Sequence, residues 1–191
     1  MRDASTSGPA RRFAFLDRDG VINQDTGYLS RWEAFHFLPG VVQALRELQD
    51  LGYGLVVITN QSGIARGLYT EHDYQCLTTR MRQALCAQGV RLSAVLHCPH
   101  HPEAVVPAYR VQCLCRKPGP GLILQAMHRL PIDLPASILV GDQLRDLQAG
   151  RAAGVGRCFA VGPQAGQGSA MAAWADACFA DLAQCVASLQ R

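Results

Sequence analysis

Lysine is almost missing from this chain of 191 residues: of 18 basic side chains, only Lys117 is a lysine. In a sequence that otherwise uses arginine throughout, one lysine hints at a place that needs a compact ammonium rather than a planar guanidinium. Long basic stretches are missing too, and the net charge is only +3; nothing suggests nucleic-acid binding, which needs clustered cations on one face. No apolar run approaches the roughly 18 residues of a membrane span. The opening MRDASTSGPARR has no apolar signal-peptide core, so the expectation is a cytoplasmic protein with residues 1–12 as a frayed leader. No repeat or linker interrupts the rest of the chain, so residues 1–191 are expected to form a single domain with a sizeable core.

Cysteine, by contrast, is plentiful, at eight residues. Without a secretion signal a disulfide framework is not expected. Cys76, Cys86, Cys158, Cys178 and Cys185 lie in apolar or helical surroundings and read as small buried hydrophobes. Cys98, Cys113 and Cys115 share one irregular stretch and need a separate account.

The hydrophobic pattern alternates between short apolar runs and helical periodicity. Phe13–Leu16, Leu55–Ile58, Leu92–His97, Ile138–Val140 and Arg157–Val161 read as strands, with a short sixth near Ala177–Ala180. Between them, Val41 to Leu51 keeps helical spacing up to Gly52, and Thr70 caps a helix running to Gln88. Further helices are expected at Gly121–Arg129, after Asp142 up to Ala153, and from Asp181. This order predicts an α/β fold: a central parallel sheet with helices on both faces.

Polar clusters follow three of the strands directly: Asp17-Arg-Asp19-Gly, Thr59-Asn-Gln-Ser-Gly and Gly141-Asp142-Gln-Leu-Arg-Asp. In a parallel sheet these clusters converge on one edge, where ligands bind. Asp17, Asp19 and Asp142 then share a site with the Thr59 hydroxyl. Carboxylates crowded this way need a cation, and a hard divalent ion with oxygen ligands, Mg²⁺, suits them. In the cysteine-bearing loop, Cys98-Pro-His100-His101-Pro precedes Cys113-Leu-Cys115 by about a dozen residues. Three thiolates and one imidazole make a closed, structural Zn²⁺ set; from spacing alone His100 and His101 are rivals. Such a metal would order residues 98–116 and aim Arg116 and Lys117, which follow the last ligand, at the site of the converging aspartates.

DRDG, TNQSG, a lysine and GDxxxD, in that order, resemble the haloacid dehalogenase superfamily of phosphatases over nearly the whole chain. The resemblance implies a Rossmann-like fold, with Asp17 as nucleophile forming an aspartyl phosphate and Asp19 as general acid and base. It implies that Thr59 and Lys117 hold the phosphoryl oxygens. Asp17, the Asp19 backbone carbonyl and Asp142 would hold Mg²⁺, with Asp146 in support. NQDTGYL, TNQSGIARGLYTE and CPHHP followed by CLCRKP are similar to the heptose 1,7-bisphosphate 7-phosphatase group, which supplies heptose for lipopolysaccharide. That likeness assigns His100 as the zinc ligand and places substrate contacts at Asp25, Thr26, Gly27, Tyr28, Asn60, Gln61, Ser62, Arg116 and Gln143, with Arg66 a weaker candidate. Heptose enzymes often read GDK where this chain has Gly141-Asp142-Gln143, so a hydrogen bond is kept and a charge lost, with a change in bisphosphate affinity or anomer choice. No large cap domain fits between the elements, so an open site and a monomer acting on a small sugar bisphosphate are expected. Within the superfamily a histidinol-phosphate phosphatase is the alternative. Outside it stands a catalytically inactive, zinc-ordered binding module, which the intact Asp17, Asp19, Thr59, Lys117 and Asp142 set speaks against.

Overall fold

A computed structural model describes residues 9–166 and 169–190. Six strands make one sheet in the order β3-β2-β1-β4-β5-β6: β1 Phe13–Leu16, β2 Gly54–Asn60, β3 Leu92–Cys98, β4 Ile138–Gly141, β5 Arg157–Val161 and β6 Ala177–Phe179. Every pairing is parallel. The chain starts at β1 in the middle, winds outward one way through β2 and β3, then returns to β4 and winds the other way. That reversal makes β1 and β4 neighbours at the topological switch point, where open α/β sheets bind ligands.

The helices are α1 Val41–Asp50, α2 Ser62–Ala65, α3 Glu71–Ala87, α4 Gly121–Met127, α5 Leu144–Ala153 and α6 Leu182–Ser188. Because side chains alternate along a strand, β1 splits its four buried residues between two cores. Ala14 and Leu16 join Leu55, Val57 and Val140 beneath α1, α3 and α6. Phe13 and Phe15 join Val56, Ile58 and Leu139 beneath α4 and α5. With both faces covered, the strands read as unbroken apolar runs, as parallel strands do.

Local chemistry sets the helix ends. Thr70 Oγ1 accepts from the Asp73 amide at 3.1 Å while Asp73 Oδ2 accepts from the Thr70 amide at 2.8 Å, a reciprocal cap for α3. Asp181 caps α6 through the Gln184 amide at 2.8 Å. The one-turn helix α2, immediately after TNQ, is an element that sequence periodicity does not predict, being too short to show a period.

No cap domain is present among the described residues. The segment between β1 and α1 is a loop with a single 3₁₀ turn, Trp32–Ala34, packed by the Trp32, Phe35 and Phe37 rings. Of the leader expected at 1–12, residues 1–8 lie outside the described residues. Arg11 is bridged to Ile132, and its amide donates to Pro131 at 2.8 Å. The expectation for the scattered cysteines needs correction: Cys158 and Cys185 are buried, but Cys76 and Cys86 are exposed. They lie on the α3 face away from the Leu77, Met81 and Leu85 stripe. No described helix is long and apolar enough to cross a membrane.

Candidate active site

Asp17 is the first residue beyond β1, and its amide donates to Val140 of the neighbouring β4 at 3.1 Å. This bond holds the DRDG turn against the Gly141-Asp142 turn. The carboxylate oxygens of Asp17, Asp142 and Asp146 come within 4.8 Å of one another. Two glycines permit that approach. Gly20 has φ +82°, and a Cβ there would lie 2.3 Å from Asp142 Oδ2; a Cβ at Gly141 would lie 2.3 Å from the Asp146 Cβ.

Lys117 brings a positive charge inside this cluster. Its Nζ lies 2.9 Å from Asp17 Oδ1 and 2.7 Å from Asp146 Oδ1, and donates to the Ile58 carbonyl at 2.9 Å. The ammonium is thus held between two carboxylates and a backbone carbonyl. Burial opposes the charge, but Asp146 and Asp17 outweigh it and hold the lysine above its usual pKa. One ammonium does not balance three carboxylates. Burial pushes Asp17 up to about 8 against the pull of Lys117, with Asp146, Asp142 and Asp19 adding to the rise. Burial likewise raises Asp142, despite a hydrogen bond from Gln143.

Asp142 Oδ1 is buried with no hydrogen-bond partner among the described residues. An orphaned carboxylate oxygen among acidic neighbours fits a hard divalent cation, and Mg²⁺ is the ion that this oxygen donor set suits. Both Asp146 oxygens are occupied, Oδ1 by Lys117 and Oδ2 by the Gln143 amide at 3.0 Å, so Asp146 supports the shell from behind. Since Asp17 has to lose its proton to serve as a ligand, Mg²⁺ affinity is expected to rise with pH, by about tenfold per unit below pH 8. Calorimetric titration with Mg²⁺ at pH 6, 7 and 8 checks this; equal affinities at all three would show that Asp17 is already ionised.

Asp19 points elsewhere. Its carboxylate takes three contacts from the buried Arg18 guanidinium at 2.9–3.1 Å, one from Asn23 Nδ2 at 2.9 Å and one from Gln61 Nε2 at 3.0 Å. Gln61 also donates to Thr59 Oγ1 at 2.7 Å and accepts from the Tyr69 hydroxyl at 2.6 Å. Its amide thus joins Thr59 to Asp19 instead of standing free for substrate. Arg18, Asn23 and Tyr69 escape sequence reasoning. Arg18 is 1% exposed, against the strong tendency of arginine to stay at the surface; its place between two aspartates was the one available signal.

An open cleft of about 400 Å³ leads to Asp17, Asp19, Thr59 and Asp142. Of the expected substrate contacts, Asp25, Gly27, Tyr28, Asn60, Gln61, Ser62 and Arg116 line it, as do Arg66 and Arg145; Thr26 and Gln143 are not in its wall. The Asp25 side chain turns its own loop by accepting from the Gly27 amide at 2.9 Å. Gln143 Nε2 donates to Asp142 Oδ2 at 3.0 Å. Asn60 grips the backbone of Lys117 with two bonds, Nδ2 to the carbonyl at 3.1 Å and Oδ1 from the amide at 3.0 Å. The second motif and the lysine are thereby locked together.

The loop after β3 gathers Cys98, His100, Cys113 and Cys115. Cys115 Sγ lies 3.1 Å from the sulfurs of both Cys98 and Cys113, and the remaining pair is 3.5 Å apart. His100 Nδ1 is 3.4 Å from Cys115 and 3.7 Å from Cys98. A zinc tetrahedron with Zn–S bonds of about 2.3 Å has edges of about 3.8 Å, so this set fits Zn²⁺ with slight expansion. Burial pushes the Cys98 and Cys115 thiols up, while at Cys113 the bonds from its neighbours outweigh burial and pull the thiol down. His101 is used otherwise: Nδ1 accepts from the Glu103 amide at 3.1 Å, and Nε2 faces Arg66. Arg116, next to the last ligand, donates to the His100 carbonyl at 3.2 Å, which ties the cleft wall to the metal loop.

The family model for haloacid dehalogenase-like hydrolases matches residues 10–154, which sets the class. The D-glycero-beta-D-manno-heptose-1,7-bisphosphate 7-phosphatase of Escherichia coli strain K12 is 45% identical over 180 residues, covering 93% of this chain and 94% of the relative. An alpha-specific counterpart by name, from Photorhabdus laumondii, is 48% identical over 150 residues, covering 78% and 82%. Among solved structures, the D,D-heptose 1,7-bisphosphate phosphatase of B. bronchiseptica, complexed with magnesium and phosphate, has a TM-score of 0.78 at 34% identity, covering 94% of this chain and 98% of that one. The chain therefore belongs to the haloacid dehalogenase-like hydrolases and, within them, to the heptose-1,7-bisphosphate 7-phosphatases.

Proposed function

We propose that this protein is a Mg²⁺-dependent phosphatase that removes the 7-phosphate of D-glycero-D-manno-heptose 1,7-bisphosphate, in the supply of heptose for lipopolysaccharide. The carrying observation is the ordered set of Asp17, Asp19, Thr59, Lys117 and Asp142 at one sheet edge, in a chain 45% identical to a named enzyme of that activity over nearly its full length.

In this reading Asp17, with Oδ1 fixed by Lys117 and by the Arg18 amide at 2.7 Å, attacks phosphorus in line. The bond from phosphorus to the C7 oxygen breaks, and Asp19 gives its proton to the leaving alkoxide. Asp19 then takes a proton from water; the hydroxide attacks the aspartyl phosphate, releases inorganic phosphate and restores Asp17. Thr59 and Lys117 hold the phosphoryl oxygens, because this chemistry depends on positioning and on neutralising spread charge. Asp17, Asp142 and the Asp19 carbonyl would hold Mg²⁺, which would supply further positive charge there. Cys98, His100, Cys113 and Cys115 would hold a structural Zn²⁺, which would keep the cleft wall in shape.

The remainder of the sugar lies against Asp25, Gly27 and Tyr28, within reach of Ser62. We take the enzyme to be monomeric and cytoplasmic, the latter because a sugar bearing two phosphate groups does not cross membranes unaided. The test is a comparison of kcat/KM for the α and β anomers of heptose 1,7-bisphosphate and for histidinol phosphate. At least one heptose anomer is expected to lead by about 100-fold or more; a preference for histidinol phosphate overturns the reading.

A further inference from the structure

We infer that Arg145 determines specificity in this cleft by taking, together with Arg116, the substrate phosphate that is not cleaved. The inference rests on the bisphosphate reading above and assigns that end of the substrate to a variable position of the fourth motif, between Asp142 and Asp146.

Asp17, Asp19, Asp142 and Asp146 gather around Lys117 at the floor of the site. Even with a divalent cation and the buried Arg18 counted in, the four carboxylates and Lys117 leave that floor with no positive charge to spare for a second phosphate. The second anion has to be met by cations further up the cleft. Three arginines stand there: Arg66, Arg116 and Arg145. Among the described residues, none of the three forms an ion pair with a carboxylate.

They are not equivalent. Arg66 is braced, with Nη2 3.5 Å from His101 Nε2 and its guanidinium 5.9 Å from the Tyr28 ring centre. Arg116 spends Nη1 on the His100 carbonyl and keeps its other hydrogens. Arg145, on the first turn of α5, is exposed and makes no side-chain hydrogen bond among the described residues. It lines the same cleft as Arg116 and Asp142. Arg145 therefore stands in the cleft wall with Arg116, three residues beyond the metal-binding carboxylate.

Two unpaired guanidiniums held near each other repel until an anion comes between them. A phosphate dianion offers three oxygens to their forked donors. Gln143, the nearer polar residue of the same turn, is already spent on Asp142. The positive charge that this turn offers to substrate thus comes from two residues further along.

The deciding measurement is the ratio of kcat/KM for heptose 1,7-bisphosphate over that for p-nitrophenyl phosphate, which has no second phosphate. In Arg145→Ala this ratio is expected to fall about tenfold or more, carried by KM for the bisphosphate. Arg145→Lys should recover part of the loss, because it restores the charge and not the fork. An unchanged ratio in Arg145→Ala, with the wild-type preference for the bisphosphate intact, overturns the inference and leaves the functional reading standing. Equal losses on both substrates also overturn it, since they signal a merely structural role. A wild-type protein with no preference for the bisphosphate removes the functional reading, and the inference with it.

Discussion

Asp17→Asn is expected to lower kcat by on the order of 10⁴-fold or more while leaving a folded protein. The amide is nearly the same shape as the carboxylate but is a far poorer nucleophile, so the aspartyl phosphate no longer forms. Folding should survive for an electrostatic reason. Asp17 sits among Asp142, Asp146 and Asp19, and its own pKa is raised to about 8, so removing its charge relieves repulsion. Lys117 loses one partner but keeps Asp146 at 2.7 Å and the Ile58 carbonyl at 2.9 Å. Single-turnover assays with radiolabelled substrate and a circular dichroism melt together check both halves. Retained turnover would remove Asp17 as the nucleophile.

The second large effect is expected at a distance. Cys113→Ser should abolish zinc retention and loosen residues 98–116, with a loss of about 10- to 100-fold in kcat/KM. The loop has one 3₁₀ turn, Pro107–Tyr109, as its regular structure. Burial alone does not favour the cluster, because the Cys98 and Cys115 thiols are raised together; the cation makes their proximity favourable. Damage travels along the chain from Cys115 to Arg116 and Lys117. The loss should stay partial, because Asn60 still clamps the Lys117 backbone through two hydrogen bonds. Zinc content by emission spectroscopy, amide exchange across the loop and kinetics on the same sample test the coupling. Full activity in zinc-free protein would break it.

The architecture is legible in the sequence because burial on both faces leaves an unmistakable mark. Phe13–Leu16, Leu55–Ile58 and Ile138–Val140 are apolar at every position, and each ends in polar residues that the parallel sheet brings to one edge. Side-chain direction is harder to read. Asn60, Gln61 and Gln143 belong to the motifs, yet their amides serve Lys117, Thr59 with Asp19, and Asp142 in turn. Nothing in residue order says whether an amide faces substrate or a neighbouring carboxylate. Arg18 is buried because Asp19 and Gln61 pair with it, the latter across 43 residues of sequence. Arg145 reaches the cleft because the first turn of α5 starts beside Asp142, a placement made by the fold and by no local pattern. Cys76 and Cys86 are open to misreading for the opposite reason: helical surroundings say little about which face a cysteine occupies.

The two bare positions beside the carboxylates bear on how this sequence can change over generations. An alanine at Gly20 would need φ +82°, and its methyl would meet Asp142 Oδ2 long before it met the core. At Gly141 the same methyl would strike Asp146. A side chain at either position is therefore expected to disturb the carboxylate cluster, and with it cation affinity, as well as the local backbone. Room for change around the reaction centre lies further out, at wall residues such as Arg66 and Arg145, where a new side chain can alter what is bound without displacing the carboxylates.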